Sequence, residues 1–163
     1  MQVKLYSQIA DNETYNFINS VYLNHVDSTT TEYYLYDKPL VINLVDEDLL
    51  DTITQLLSRE ESKLLWDKIL WADYSLRWEE ERLFNARIID DNSLINHDCE
   101  EFPVYYFSLP IFSSSFDFAI FQVKFDKGYL QATYLTFYRK RDKNWEFCYQ
   151  SVATGKIRIK DPW

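Results

Sequence analysis

The stretch from Tyr105 to Gln150, YYFSLPIFSSSFDFAIFQVKFDKGYLQATYLTFYRKRDKNWEFCYQ, constrains the fold more than any other part of the chain. Apolar and polar residues alternate along it in runs separated by turn residues, which is typical of half-buried β-strands. Gly128, in DKG, is placed to supply a positive φ between two of these runs. The pattern predicts strands at 118–125, 129–138 and 145–152, joined as an antiparallel meander.

The same alternation predicts which side chains of the last strand face the core. Trp145, Phe147 and Tyr149 are expected to share one face, with Cys148 on the other. Thr154–Gly155 is expected to turn the chain into a candidate fourth strand, KIRIK. The aromatic residues of this region are therefore interpreted mainly as core of the sheet.

Helical patterns precede the sheet. NETYNFINSVYLNHV places Tyr15 and Ile18 on one helical face, while QVKLY before it fits either a strand or an N-terminal arm. DEDLLDTITQLL predicts a helix with Asp46 as its N-cap. Ser58 and Glu61 match a capping box, so another helix is expected to begin at Ser58.

These elements predict an α+β fold in which N-terminal helices pack on one face of a C-terminal antiparallel β-meander. The 163 residues suffice for one domain, 1–163, which we expect to be mainly helical and acidic over 1–101 and an antiparallel sheet over 102–163. ARII before DDNS predicts a short strand, and residues 71–84 fit either a helix or irregular structure.

Negative charge is concentrated in the middle of the chain. The formal net charge is −9, and residues 44–101 hold sixteen acidic but only six basic residues. This excess repels phosphates, so no nucleic-acid partner is expected. The bases of RKRDKNW and KIRIK lie at turns and alternate along strands, as on a solvated face.

The chain shows no targeting or membrane signal. The N-terminus lacks the apolar region of a secretory signal, and no apolar run is long enough to span a membrane. Cys99 and Cys148 are too few for a disulfide framework. We therefore expect a cytoplasmic location, reduced thiols and no membrane partner.

Residues 55–150 resemble a group of uncharacterised bacterial proteins of the Bacteroidetes type. The resemblance is carried by an F-S-x-P-I-F box followed by an aspartate loop, an alanine-containing strand, a glycine turn and a tryptophan hairpin. In this chain those positions are Phe107, Ser108, Pro110, Ile111, Phe112, Asp117, Ala119, Gly128 and Trp145. The resemblance implies a shared fold with a β-meander after the box, and it implies no activity. The cysteines that many members carry near the central turn are absent here.

Motifs for catalysis or cofactor binding are absent from the sequence. It contains no P-loop, GxGxxG, GxSxG, HExxH or CxxC, and its two glycines cannot form a glycine-rich phosphate loop. The loop 90–101, DDNSLINHDCEE, offers donors such as His97, Cys99 and Glu101, yet its spacing matches no known metal loop. A solvated acidic loop is expected there, and whether 97–101 binds a metal stays open. We predict no catalytic residue, no cofactor and no metal.

These features favour a non-enzymatic protein-interaction domain, in particular a toxin-neutralising immunity-type protein that binds a basic partner. One alternative is a small-molecule-binding domain with a pocket between helices and sheet. Another is a structural or regulatory domain, and the sequence does not indicate the oligomeric state. Under the first hypothesis the contact residues are acidic side chains of the middle region: Asp46, Asp48, Asp51, Glu60, Glu61, Glu79, Glu80, Glu81, Asp90 and Asp91.

Overall fold

The computed structural model describes residues 2–26, 32–42, 53–72 and 76–157. The helices with both ends inside those ranges are α1 (Gln2–Val21), α2 (Arg59–Leu70) and the single turn α3 (Asp91–Leu94), with 3-10 turns at Tyr22–Asn24 and Glu80–Arg82; residues 53–56 are also helical. The strands are β1 (Tyr33–Tyr36), β2 (Ala86–Ile89), β3 (Val104–Phe107), β4 (Ile111–Phe112), β5 (Phe118–Asp126), β6 (Leu130–Arg141) and β7 (Asn144–Ile157).

All seven strands belong to one mixed sheet, in the order β2-β1-β3-β5-β6-β7, with β4 paired to β5. The pairs from β3 through β7 are antiparallel, but β1 runs parallel to both β2 and β3. The α+β class is confirmed, whereas a purely antiparallel sheet confined to 102–163 is wrong. The connections from β1 to β2 and from β2 to β3 are long enough for the crossovers that parallel pairing needs.

The strands predicted from alternation are present, with one error at the C-terminal end. Gly128 has φ +75°, as its turn requires. The expected turn at Thr154–Gly155 is wrong, because β7 continues through both residues and pairs them with Thr133 and Ala132. Ladder pairing therefore overrides the local turn preference of a Thr-Gly pair.

A β-bulge at Cys148 changes which side chains of β7 share a face. Phe147 pairs with Tyr138 and Tyr149 pairs with Phe137, so one extra residue lies between the two pairs. Phe137 and Tyr138 are consecutive and point to opposite faces; their partners must do the same. The prediction that Phe147 and Tyr149 share a face is therefore wrong, and both side chains are exposed.

The sheet is buried on both faces where β5 crosses its centre. Ala119 and Phe121 belong to a cluster that includes Phe17 of α1. Phe118 and Ile120, on the opposite face, belong to a second cluster with Leu65 and Ile69 of α2. One apolar face covered by helices is therefore too simple a description, since both faces at β5 contact helical residues.

The side chain of Phe17, on α1, packs against aromatic side chains of the sheet. Its ring lies edge-on to four others, with centroid distances of 5.1 to 5.6 Å; the four are Phe112, Phe121, Tyr138 and Trp145. Such edge-to-face packing adds to the burial of apolar area. The helix also includes QVKLY, which is neither a strand nor an extended arm.

The predicted start of α2 is confirmed. Ser58 has an extended backbone, with φ −63° and ψ 157°, and its side chain accepts a hydrogen bond from the Glu61 amide. DEDLLDTITQLL, with the proposed cap Asp46, lies mostly outside the described residues; within it, residues 53–56 are helical. In the described part of the chain, no helix has the length and apolar character needed to cross a membrane.

Candidate protein-interaction site

The second helix has one face in the core and one in solvent. Ser62, Leu65 and Ile69 are buried, which sets the phase of the helix against the sheet. Positions on the opposite side recur at intervals of three and four residues, because an α-helix has 3.6 residues per turn. We call this side of α2 and its C-cap residue the outer face: Glu60, Leu64, Asp67, Leu70 and Trp71.

The outer face carries large apolar side chains that nothing in the described structure covers. Leu64 is 46% exposed, Leu70 is 70% exposed and Trp71, the C-cap residue, is 85% exposed. Single exposed apolar residues are ordinary, but a tryptophan and two leucines exposed on one twelve-residue helix and its C-cap form a candidate contact surface. Leu64 and Trp71 are two turns apart, or about 10 Å along the axis.

Two carboxylates alternate with these apolar side chains. Glu60 lies one turn before Leu64, and Asp67 lies between Leu64 and Trp71 on the same stripe. Across the described ranges neither acid takes part in an ion pair. Arg59 and Lys63 are exposed on one flank of the stripe. The stripe itself therefore carries two carboxylates among its apolar side chains, with the bases Arg59 and Lys63 next to it.

The neighbouring charged residues of α2 are engaged with the sheet. The Ser114 amide donates to Glu61 Oε1 at 2.6 Å, and Lys68 Nζ donates to the Phe112 carbonyl at 2.8 Å. Partial burial lowers the pKa of Lys68, while Glu61 opposes that shift. These bonds attach α2 to β4 and to the loop between β4 and β5, through two side chains that are not part of the outer face.

Several of the other acids predicted as contacts are used inside the molecule. Glu80 Oε2 accepts from the Ile88 amide at 2.7 Å, and Glu80 Oε1 lies 3.9 Å from Arg87. Glu79 lies 3.8 Å from Arg82. Glu81 is exposed and forms no ion pair with the residues that the structure describes.

The two aspartates after β2 are also engaged. Asp90 accepts from the Ser93 amide at 2.8 Å and caps α3, and hydrogen bonds from Ser93 hold its pKa below the usual range. Asp91 accepts from Lys38 Nζ at 2.8 Å and from the Tyr36 hydroxyl, and these two donors lower its pKa. Asp46, Asp48 and Asp51 lie outside the described residues. Among the members of the predicted set that the structure describes, Glu60 is the one on the outer face, and its carboxylate forms no ion pair or hydrogen bond with the described residues.

The acidic loop after α3 borders an open surface cleft of about 600 Å³, lined by residues 95–100 and Gly128. His97 Nε2 lies 2.6 Å from the Phe102 carbonyl, and its ring packs on Tyr34. Burial, with Asp126 and Asp98 nearby, raises the pKa of Cys99 and so favours the thiol over the thiolate. Among the described residues no group of three or more His, Cys, Asp or Glu side chains is arranged to hold a metal.

Sequence reasoning missed the apolar half of the outer face. The segment REESKLLWDKILW is rich in apolar residues and predicts a helix from Ser58. The prediction does not say which side of that helix faces the core. The signal was present: with Leu65 and Ile69 inside, helical geometry places Leu64 and Trp71 outside. The phase itself depends on tertiary packing.

No family model, no curated protein and no solved structure matches this chain. The resemblance to the bacterial F-S-x-P-I-F group therefore stays a prediction.

Proposed function

We propose that the chain is a non-enzymatic protein-interaction domain that binds a basic protein through the outer face of α2. The observation that carries the proposal is Trp71, which is 85% exposed on the same side of α2 as Glu60 and Asp67, two carboxylates that form no ion pair within the described residues. Tryptophan is among the residues that most often dominate binding energy at protein interfaces. Placing it on the end of a fixed helix makes it an anchor.

Apolar burial would supply most of the affinity. Covering one large apolar side chain contributes about 1.5–3 kcal/mol, so Trp71 together with Leu64 and Leu70 offers several kcal/mol before the costs of association. The patch is small, so a stable complex would need surrounding polar contacts to reach about 800 Å² per partner. Glu60 and Asp67 lie next to the apolar side chains and can supply such polar contacts.

Charge supports a basic partner. The protein has a net charge of −9, which attracts cationic surfaces over a distance set by the Debye length. Such steering raises association rates more than it slows dissociation. An immunity-type protein that neutralises a basic toxin would have these properties. We propose that the two proteins meet in the cytoplasm, where the free thiols Cys99 and Cys148 stay reduced.

Site-specific photo-crosslinking tests the proposal. Trp71→p-benzoylphenylalanine, expressed in the native cells, is expected to capture a basic protein; the matched control is Phe84→p-benzoylphenylalanine, since Phe84 is 62% exposed outside α2. Capture is expected to fall at least about ten-fold in Glu60→Lys/Asp67→Lys, because the carboxylates then repel the partner. The captured protein is then purified and its affinity for the wild-type chain measured against salt.

A charge-matched double variant separates local contact from the general field. Glu81→Lys/Glu101→Lys changes the net charge by the same amount but leaves the outer face intact, so it is expected to change capture less than about two-fold. The proposal fails if positions 71 and 84 give the same products. It also fails if both double variants weaken capture equally, or if the protein captured is acidic.

A further inference from the structure

One free edge of the sheet is already closed to an added strand. In β2 the Ile88 amide points away from β1, where an incoming strand would accept its hydrogen bond. Glu80 Oε2 accepts that bond instead, at 2.7 Å, and the carboxylate also faces Arg87. Covering an edge amide with a charged side chain is a recognised way to prevent edge pairing.

The other edge, β7, is irregular. The register with β6 shifts twice, and both times the extra residue belongs to β7, at Cys148 and at Ala153. A bulge bends the strand, increases its twist and interrupts the regular spacing of amides and carbonyls. A partner strand therefore finds no extended straight ladder at β7 among the described residues.

The outer face of α2, by contrast, has the form of a helix-packing surface. Four of its five residues, 60, 64, 67 and 71, occupy the i, i+4, i+7 and i+11 positions and form a stripe along the helix axis. Stripes of this kind pack against a second helix, with axes about 8–10 Å apart. Leu64 and Trp71, two turns apart, match the spacing of apolar residues on such a helix.

We propose that the partner presents a cationic amphipathic helix, which lies along α2 with its apolar stripe on Leu64 and Trp71. Its flanking lysines or arginines would face Glu60 and Asp67, the carboxylates that form no ion pair within the described ranges. This inference rests on the proposed function and names the secondary structure and charge of the partner segment. Charge complementarity, the covered Ile88 amide of β2 and the two bulges of β7 together favour a helix over a strand.

Two synthetic peptides of identical composition test this. Both contain about 18 residues of leucine and lysine, long enough to form a helix on contact. One places leucines at helical spacing and the other at alternate positions, which favours a strand. Fluorescence anisotropy of the labelled peptides measures their affinity for the wild-type chain, Trp71→Ala, Leu64→Ala and the control Phe84→Ala.

The helix-patterned peptide is expected to bind at least about ten-fold more tightly than the strand-patterned one. Trp71→Ala should weaken that binding at least about ten-fold and Phe84→Ala less than about two-fold. Circular dichroism should report the same fold for all variants, because the substituted side chains are exposed.

Two results overturn the inference. If the strand-patterned peptide binds equally well while position 71 still crosslinks a basic protein, the helix is wrong and the proposed function stands. If the helix-patterned peptide binds Trp71→Ala as tightly as it binds the wild-type chain, α2 is not the binding site of the peptide. If the crosslinking experiment also fails, the proposed function is wrong as well.

Discussion

Lowering the pH from 7 to 4 is expected to destabilise the protein through one histidine. His25 follows α1, and its Nε2 lies 2.7 Å from the Tyr138 hydroxyl. Its ring packs against Phe121, with the centroids 5.5 Å apart. Burial lowers the pKa of His25 to about 4, from 6.5, because the imidazolium loses hydration there. Burial also raises the pKa of Tyr138 to about 12, so its hydroxyl stays neutral throughout.

The sign and size of the effect follow from the two pKa values. Well above pH 6.5 His25 is neutral in both the folded and the unfolded state and contributes no pH dependence. As the pH falls from 6.5 towards 4 the unfolded chain binds a proton that the folded protein does not, so the free energy of unfolding decreases. The full difference corresponds to about 3 kcal/mol, and about 2 kcal/mol is reached at pH 5. Because part of the ring reaches solvent, these are upper figures.

Urea unfolding followed by tryptophan fluorescence at pH 7, 6 and 5 measures this loss. His25→Gln keeps a group that can hydrogen-bond to Tyr138 but cannot be protonated, so its unfolding free energy is expected to vary less over this range. His97→Gln is the control and should keep the wild-type slope, because His25 is intact. Carboxylates with lowered pKa values, such as Asp91 and Asp117, lose their contribution only at lower pH. An unchanged slope in His25→Gln would refute the reasoning.

Substitutions at three further positions test the local structure by urea unfolding. Gly128→Ala is expected to destabilise by about 1–2 kcal/mol, because φ is +75° and the new Cβ would lie 2.6 Å from Glu100 Cγ. An unfolding free energy equal to that of the wild-type chain would contradict this. Lys143→Gly is expected to stabilise by about 1 kcal/mol, since Asp142 and Lys143 both have positive φ in the β6–β7 turn; no gain would mean the turn is unstrained. Ser58→Ala is expected to cost about 1 kcal/mol through the lost N-cap, which Ser58→Asp should restore.

Alternation predicted the interior of the sheet well, because β5 and β6 are long and regular. It failed where a backbone irregularity reset the phase. Trp145 and Phe147 obey the expected period of two, but one extra residue at Cys148 moves Tyr149 to the other face. Nothing in NWEFCYQ marks that residue as a bulge, since no glycine or proline is present there.

The parallel strands were harder to foresee for a different reason. β1 and β2 have four residues each, and a segment as short as YYLY or ARII carries too little pattern to specify a partner. Their parallel pairing is determined by the crossover between them and by β3, which pairs with the other side of β1. Short strands therefore take their direction from the whole sheet, and local sequence cannot report it.

The acidic residues illustrate the same limit for the candidate site. Counting charges predicts the sign of the field around the protein, but it cannot separate an acid that faces solvent from one that holds the fold. Glu80 covers the Ile88 amide and Asp91 holds Lys38, a residue 53 positions away in sequence. In the described part of the chain Glu60 has no such partner, and the exposed apolar side chains on its side of α2 distinguish it from Glu81. An acid with an internal partner must give up that hydrogen bond when the acid binds a ligand. The new contact therefore contributes little net free energy. For this reason the partner's cations should select Glu60 and Asp67 on the outer face, and the negative charge elsewhere should act only through the long-range field.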